Sequence, residues 1–234
     1  MSAATSNATS LEHVLPIDVI SDVVCPWCFI GKRRLEKAIA LKPEIAVRVS
    51  YRPYFLNPWV PRGGMNRSEY LTTKFGSVER YRANAQRVVA TAAQEGLVYN
   101  VDRITRQPNT LDCHRLILWA GETGESDASA RMKQRLMELY FTEGADLSDN
   151  EVLVRAAREC GMNSEEVRRR LATDADVEEV TAEAEAAKTA GIDGVPHFII
   201  GGRFAVSGAQ APEYLAATIQ RAASERDALA EAGT

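Results

Sequence analysis

The chain has 234 residues, 45% of them hydrophobic, enough to bury a substantial core in one large domain or in a domain carrying an insertion. Its 28 Lys and Arg stand against 32 Asp and Glu, so no basic field invites nucleic acid or an anionic membrane, and neither is expected as a partner. No apolar run approaches the ~18 residues of a membrane span, residues 1–10 are polar and Ser/Ala-rich without the apolar region of a secretory signal, and four cysteines are too few for a disulfide scaffold. Together these predict a cytoplasmic protein with a flexible tail over residues 1–13.

Ile17, Val19, Ile20, Val23 and Val24 form a β-branched run of strand length, and Gly31, Leu35, Ala38 and Ile39 then recur at helical spacing. A second strand over Ala46 to Tyr54 makes the opening β-α-β. The Pro/Gly-rich stretch from Pro58 to Gly64 leaves the sheet for a helical block. There Tyr70, Leu71 and Phe75, then Tyr81, Ala85, Val88, Val89 and Ala92, keep helical spacing to Gly96, and Leu111 to Trp119 follows the caps Asn109 and Thr110. Met132, Leu136, Leu139 and Tyr140 mark another helix. Ser148 with Glu151 and Asn163 with Glu166 have capping-box spacing, and Gly161 reads as a C-terminal cap. Val177 to Ala190 is a helix with a solvated charged face. Strand character returns at Val195 to Ile200, and Gly201-Gly202 with Phe204 to Val206 reads as a hairpin closed by a two-residue glycine turn, before a last helix from Pro212 to about Leu229.

The chemistry is concentrated at Cys25-Pro26-Trp27-Cys28, between the first strand and the first helix. A thiolate is the species that attacks a disulfide, and the free N–H groups and positive end of a helix N-terminus lower a cysteine pKa from about 8.5 to roughly 3.5–7.5. Cys25 is therefore expected to be the nucleophile, and Cys28 the thiol that resolves the mixed disulfide Cys25 forms. Pro26 suits the entry to a helix, where its missing N–H costs nothing, and Trp27 offers an apolar surface beside the reactive sulfur. Half a zinc site and two inert core cysteines are the other readings. Zinc usually takes four Cys or His ligands in paired spacing, whereas Cys113 and Cys160 stand alone and read as small buried side chains, so no metal site is expected.

These motifs, in this order, resemble the thioredoxin superfamily in its DsbA-like branch, and more closely the FrnE-type subgroup. The likeness rests on Ser21 to Gly31, Tyr51 to Pro58, Pro108-Asn109-Thr110 with His114-Arg115-Leu116, Gly191 to Pro196, and Ser207 to Gln210. It implies an α/β thioredoxin-like fold with a large helical insertion: a discontinuous thioredoxin-like domain over 14–60 and 190–232, interrupted by a helical domain over 61–189. It also implies a cis Val195-Pro196 peptide facing the thiols, with the Val195 backbone pairing an extended substrate. By itself Pro196 would read as an ordinary strand-start proline. His197, where the family more often has an aromatic or aliphatic residue, could lie near the thiols, although a hydrogen-bonded structural histidine is the simpler reading. The extra C-terminal cysteine pair of some FrnE proteins is absent.

The expected function is thus oxidation, reduction or isomerisation of disulfides in protein or peptide substrates, with no bound cofactor and glutathione as a candidate co-substrate, in a monomer or a homodimer. The alternative is a glutathione-dependent isomerase of the 2-hydroxychromene-2-carboxylate type, which the chain resembles at Asn57, Asn109-Thr110 and His114-Arg115. Those enzymes usually carry serine where this chain has Cys25, so the intact thiol pair weighs against that reading.

Overall fold

The computed structural model describes residues 14–232; the tail predicted over 1–13 lies outside them. One four-stranded sheet has the order β2-β1-β5-β6. Strand β1 (Leu15–Ser21) runs parallel to β2 (Val47–Pro53) on one side and antiparallel to β5 (His197–Ile200) on the other, and β5 closes a hairpin with β6 (Phe204–Ser207). Both ends of the chain therefore build one sheet. Helix α1 (Pro26–Ala40) and the final helix α9 (Pro212–Ala232) pack together over one face. There Ile17, Val19, Leu35, Phe198, Ile200, Val206, Leu215 and Ile219 form the sheet's own core. The alternating burial of β1 follows from its period of two, with Leu15, Ile17 and Val19 on the covered face.

Between β2 and β5 run seven helices: α2 (Arg67–Phe75), α3 (Val78–Gln94), α4 (Leu111–Gly121), α5 (Ala128–Glu138), α6 (Asn150–Glu159), α7 (Ser164–Leu171) and α8 (Val177–Thr189). Asn66, Ser77 and Asn163 cap α2, α3 and α7 through side-chain oxygens. A short ribbon, β3 (Met65–Asn66) with β4 (Arg106–Gln107), has no periodic signal in the sequence, and the helix expected through Leu139 and Tyr140 passes after α5 into a π-turn over Leu139–Glu143. Helix α8 packs on the other face of the sheet, where its Glu183 and Asp18 of β1 both pair with Arg52 of β2, so the sheet lies between helical layers; α5 meets β2 on the α1 side, where Lys133 lies over Tyr51. Val23, Val24, Cys28, Phe29 and Ile30 belong to the core of the helical block and not to that of the sheet.

Four local expectations need correcting. Strand β1 ends at Ser21, and Val23 and Val24 turn away to bury themselves in the helical block. The hairpin loop has three residues, because Ile200 pairs with Phe204 across Gly201, Gly202 and Arg203. That register sets Val206 opposite Phe198 with both in the core, whereas a slip by one residue would turn Ala205 and Ser207 inward. The cap of α6 is Asp149, which accepts from the Glu151 N–H at 2.9 Å, while Ser148 is engaged by the Asp146 carboxylate. Cys160 is only half-buried, in contrast to the fully buried Cys113.

Candidate active site

Cys25 has extended backbone angles and is the N-cap of α1, with Pro26 in the first turn. Its own N–H donates to the Asp22 carbonyl at 3.3 Å, and its carbonyl accepts from the N–H groups of Cys28 (3.0 Å) and Phe29 (3.2 Å). The strand therefore hands the cysteine to the helix through one tight turn. Both thiols are free, and Cys25 is 4% exposed and Cys28 1%. Trp27 is half-buried at the edge of the helical-block core.

The two sulfurs are driven apart in acidity. The Cys28 thiol, donating to the Cys25 sulfur, holds Cys25 below the ordinary thiol value against the opposing effect of burial, helped by the N–H groups of Cys28 and Trp27. The Asp22 carboxylate acts in the other direction. Burial pushes Cys28 well up, and the negative sulfur of Cys25 adds to this. Such a division matches what an attacking thiol and a thiol kept protonated until needed would require.

The Val195–Pro196 peptide is cis, and the Cys25 Sγ lies 3.6 Å from the Val195 carbonyl oxygen, to which the thiol donates. Pro196 packs against Gly31 so closely that a Cβ there would stand 2.7 Å from the proline Cγ. The loop before β5 and the first turns of α1 are thus fitted to each other. Asn57 lies on the same side of the molecule. Its Oδ1 accepts from Tyr70 Oη (3.2 Å) and Lys74 Nζ (2.5 Å), and burial holds Lys74 below the usual lysine range while the charges of Cys25 and Asp22 oppose that fall. His197 instead faces its hairpin partner, with Nδ1 2.9 Å from Ser207 Oγ, and burial holds its ring below the usual histidine range. Cys25, Cys28, Pro26, Trp27, Val195 and Pro196 are brought together, Asn57 is held by Lys74, and His197 is engaged by Ser207 instead of the thiols.

Behind the thiols lies a buried polar cluster of Asp22, His114 and Lys133. Asp22, fully buried, accepts from the Leu56 N–H at 2.9 Å, and its Oδ1 lies 3.4 Å from His114 Nε2, off the line of a hydrogen bond. Burial raises the Asp22 carboxyl, but His114 and the Leu56 N–H more than offset that and leave it below the usual range. Burial likewise holds His114 down, so the imidazole is neutral at physiological pH. Lys133 from α5 completes the cluster at 1% exposure. Two of its members stand out locally in the sequence, although nothing there says that they meet. Asp22 interrupts an apolar run, and Lys133 sits beside Met132 on the buried stripe of α5.

A sequence model of the DSBA-like thioredoxin domain matches residues 16–220. The chain belongs to that family. A probable DsbA oxidoreductase, SCO1869 from Streptomyces coelicolor, is 34% identical and superposes with a TM-score of 0.81 over 90% of this chain and 91% of its own. The uncharacterized protein YwbO of Bacillus subtilis is 27% identical over 79% of this chain and 86% of its own length. Two more distant structures share the fold of this DsbA-like oxidoreductase. A 2-hydroxychromene-2-carboxylate isomerase is 14% identical, with a TM-score of 0.67 over 92% and 98% of the two chains. The cytosolic disulfide reductase DsbM of Pseudomonas aeruginosa, in a structure with GSH, is 19% identical, with a TM-score of 0.55 over 92% and 99%.

Proposed function

We propose that this DsbA-like oxidoreductase exchanges disulfides with protein or peptide substrates through Cys25 and Cys28. The Cys25 thiolate attacks one sulfur of a substrate disulfide, forming a mixed disulfide and expelling the other substrate sulfur as a thiolate. Cys28 then displaces the bound sulfur from Cys25, leaving a Cys25–Cys28 disulfide and a reduced substrate. The reverse sequence oxidises a dithiol. The observation that carries the reading is the placement of Cys25 as the N-cap of α1, with Cys28 one turn along and the Val195 carbonyl 3.6 Å from the Cys25 sulfur; the opposed acidity of the two thiols accords with it.

The Val195 backbone and the surfaces of Pro26, Trp27 and Pro196 form the groove for an extended substrate segment, with Asn57 and Lys74 at its edge. Residues 14–60 and 190–232 act as the redox unit and residues 61–189 as the wall behind it. Glutathione is the small thiol this site is proposed to exchange with, a reading supported by the structure of DsbM with GSH. A cytoplasmic location accords with that of DsbM, a cytosolic reductase; among the described residues no helix is long and apolar enough to cross a membrane.

Cys25→Ser should abolish insulin reduction and refolding of a scrambled substrate while leaving the far-UV spectrum unchanged, and Cys28→Ser should accumulate mixed disulfides. Undiminished activity in the Cys25 variant would refute the assignment. Glutathione-dependent turnover of an aromatic ketoacid that survives both substitutions would favour the isomerase reading, for which the shared fold and the placement of Asn57 beside the site are the support.

A further inference from the structure

The loop that brings Val195 to the thiols holds the chain's single Asp-Gly pair, Asp193-Gly194, and Asn-Gly does not occur in the sequence. Both residues are exposed. On one side the loop is anchored to the end of α8. There the Gly191 N–H donates to the Lys188 carbonyl at 2.9 Å and the Ile192 N–H to the Ala187 carbonyl at 3.1 Å, around Gly191 at φ +83°. On the other side it is anchored to the hairpin and to α1, because the Pro196 carbonyl accepts from the Gly208 N–H at 2.8 Å, the Val195 carbonyl accepts from the Cys25 thiol, and Pro196 meets Gly31.

Between these anchors the chain is unpinned. Among the described residues the Gly194 N–H donates to no acceptor, and the Asp193 carboxylate makes no hydrogen bond or ion pair. A Cβ built on Gly194 would meet nothing within 4 Å, and the residue lies outside the left-handed region. An aspartate can turn on its own backbone under these conditions: the next nitrogen is free of a hydrogen bond, the next residue has no side chain to block the approach, and the surface loop is able to rotate.

We propose that Asp193 converts spontaneously to isoaspartate and that the conversion disables the site by moving Val195 away from Cys25; the second half of this rests on the redox reading above. The Gly194 nitrogen attacks Cγ of Asp193. The N–Cγ bond forms, the nitrogen gives up its proton, and one carboxyl oxygen leaves as water, closing a succinimide ring. Water then opens the ring. Addition at Cγ restores aspartate, whereas addition at the main-chain carbonyl leaves the chain running through Cβ and Cγ, with a free carboxylate on Cα. One water leaves and one returns, so mass is unchanged and no oxidant or reductant takes part.

The product has one more main-chain bond, about 1.5 Å long, between Asp193 and Gly194. Ile192 is held by α8, and Pro196 by the hairpin and α1, so the added length is absorbed between them, at Gly194 and Val195. The Val195 backbone is where an extended substrate pairs, and main-chain hydrogen bonds supply the affinity in that mode of binding. A misplacement of about 1 Å at such a point can cost on the order of 100-fold in rate. Cys25 and Cys28 keep their thiols, and what is lost is the alignment of the substrate.

The test ages the full chain under a thiol reductant at physiological temperature and neutral pH. Isoaspartate is mapped by peptide digestion and mass spectrometry and counted with an isoaspartyl carboxyl methyltransferase and labelled S-adenosylmethionine, while insulin reduction is followed in the same samples. Isoaspartate should accumulate at position 193 ahead of every other aspartate, and activity should fall in proportion, the isoaspartyl form being at least about tenfold less active. Gly194→Ala fits the open space, so it should start at wild-type activity and resist ageing in both readouts. Asp193→Glu, which would have to close a larger ring, should do the same. Absence of isoaspartate at 193 in the aged wild type, its accumulation with insulin reduction undiminished, or ageing of Gly194→Ala at the wild-type rate would overturn the proposal. Failure of the fresh wild type to reduce insulin would instead overturn the redox reading, and the isoaspartate map would still decide the modification by itself.

Discussion

Cys25 owes its acidity to donors within one turn of α1, and chiefly to the thiol of Cys28. Two substitutions follow from that ranking. Cys28→Ala removes the largest favourable contribution, so the midpoint for alkylation of Cys25 by iodoacetamide should rise from the wild-type value. Cys28→Ser keeps a donor and should raise it less. Asp22→Asn removes a nearby negative charge that opposes the thiolate, so it should move the midpoint down. An unchanged midpoint in Cys28→Ala would mean that the helix N-terminus alone sets the acidity.

The elements around the thiols are held by close approach as much as by burial. Gly31 lets α1 lie against Pro196, and any side chain there meets the proline ring, which has little freedom to move. Gly31→Ala should cost about 1–3 kcal/mol in urea denaturation, and it should slow mixed-disulfide formation because the loop carrying Val195 is pushed away from Cys25. Wild-type stability with wild-type kinetics would show that the contact relaxes freely. Farther along, α6 begins on Asp149, and Asp149→Ala should cost about 1 kcal/mol by the same measurement. No loss would place the cap elsewhere. The C-terminal end of the π-turn after α5 is equally exacting, since Gly144 has φ +71° and a Cβ there would stand 2.3 Å from the Arg103 carbonyl oxygen.

Across the whole molecule, α1 joins the two cores: its first turns, through Cys28, Phe29 and Ile30, belong to the helical-block core, and Leu35 and Ala38 farther along belong to the sheet core. The helical block also buries a set of phenols. Burial raises Tyr70, Tyr99 and Tyr140 well above the ordinary tyrosine value, and Arg67 donates to Tyr140 Oη (3.1 Å) and Tyr81 Oη (2.9 Å) between them. Tyr51 on β2 is raised in the same way. Groups whose folded pKa is raised stabilise the fold fully below their unfolded value, here about 10, and that contribution is lost as the pH climbs above it. Phenolate absorbance at 295 nm and loss of the far-UV signal should therefore rise together above about pH 10. Titration of all seven tyrosines near pH 10 with the fold intact would contradict the burial described for these four.

What could be read along the chain was whatever depends on near neighbours. The strand-then-helix setting of Cys25-Pro26-Trp27-Cys28, the β-α-β opening, the helical middle and the closing hairpin and helix all follow from periodicity and from residues a few positions apart. Local competition already blurred the finer points. Asp149 and Ser148 both offered an oxygen to α6, and only the Asp146 carboxylate, by engaging Ser148, left the cap to Asp149. The three-residue hairpin loop was likewise decided by which side chains the sheet core could take in. The cluster behind the thiols was beyond local reading for a stronger reason. Asp22, His114 and Lys133 come from a turn, α4 and α5, and the acidity of each depends on removal from water and on charges brought near by distant parts of the chain. Spacing decides which residues share a helix face, but desolvation and Coulomb energy depend on distances in space, and folding alone sets those.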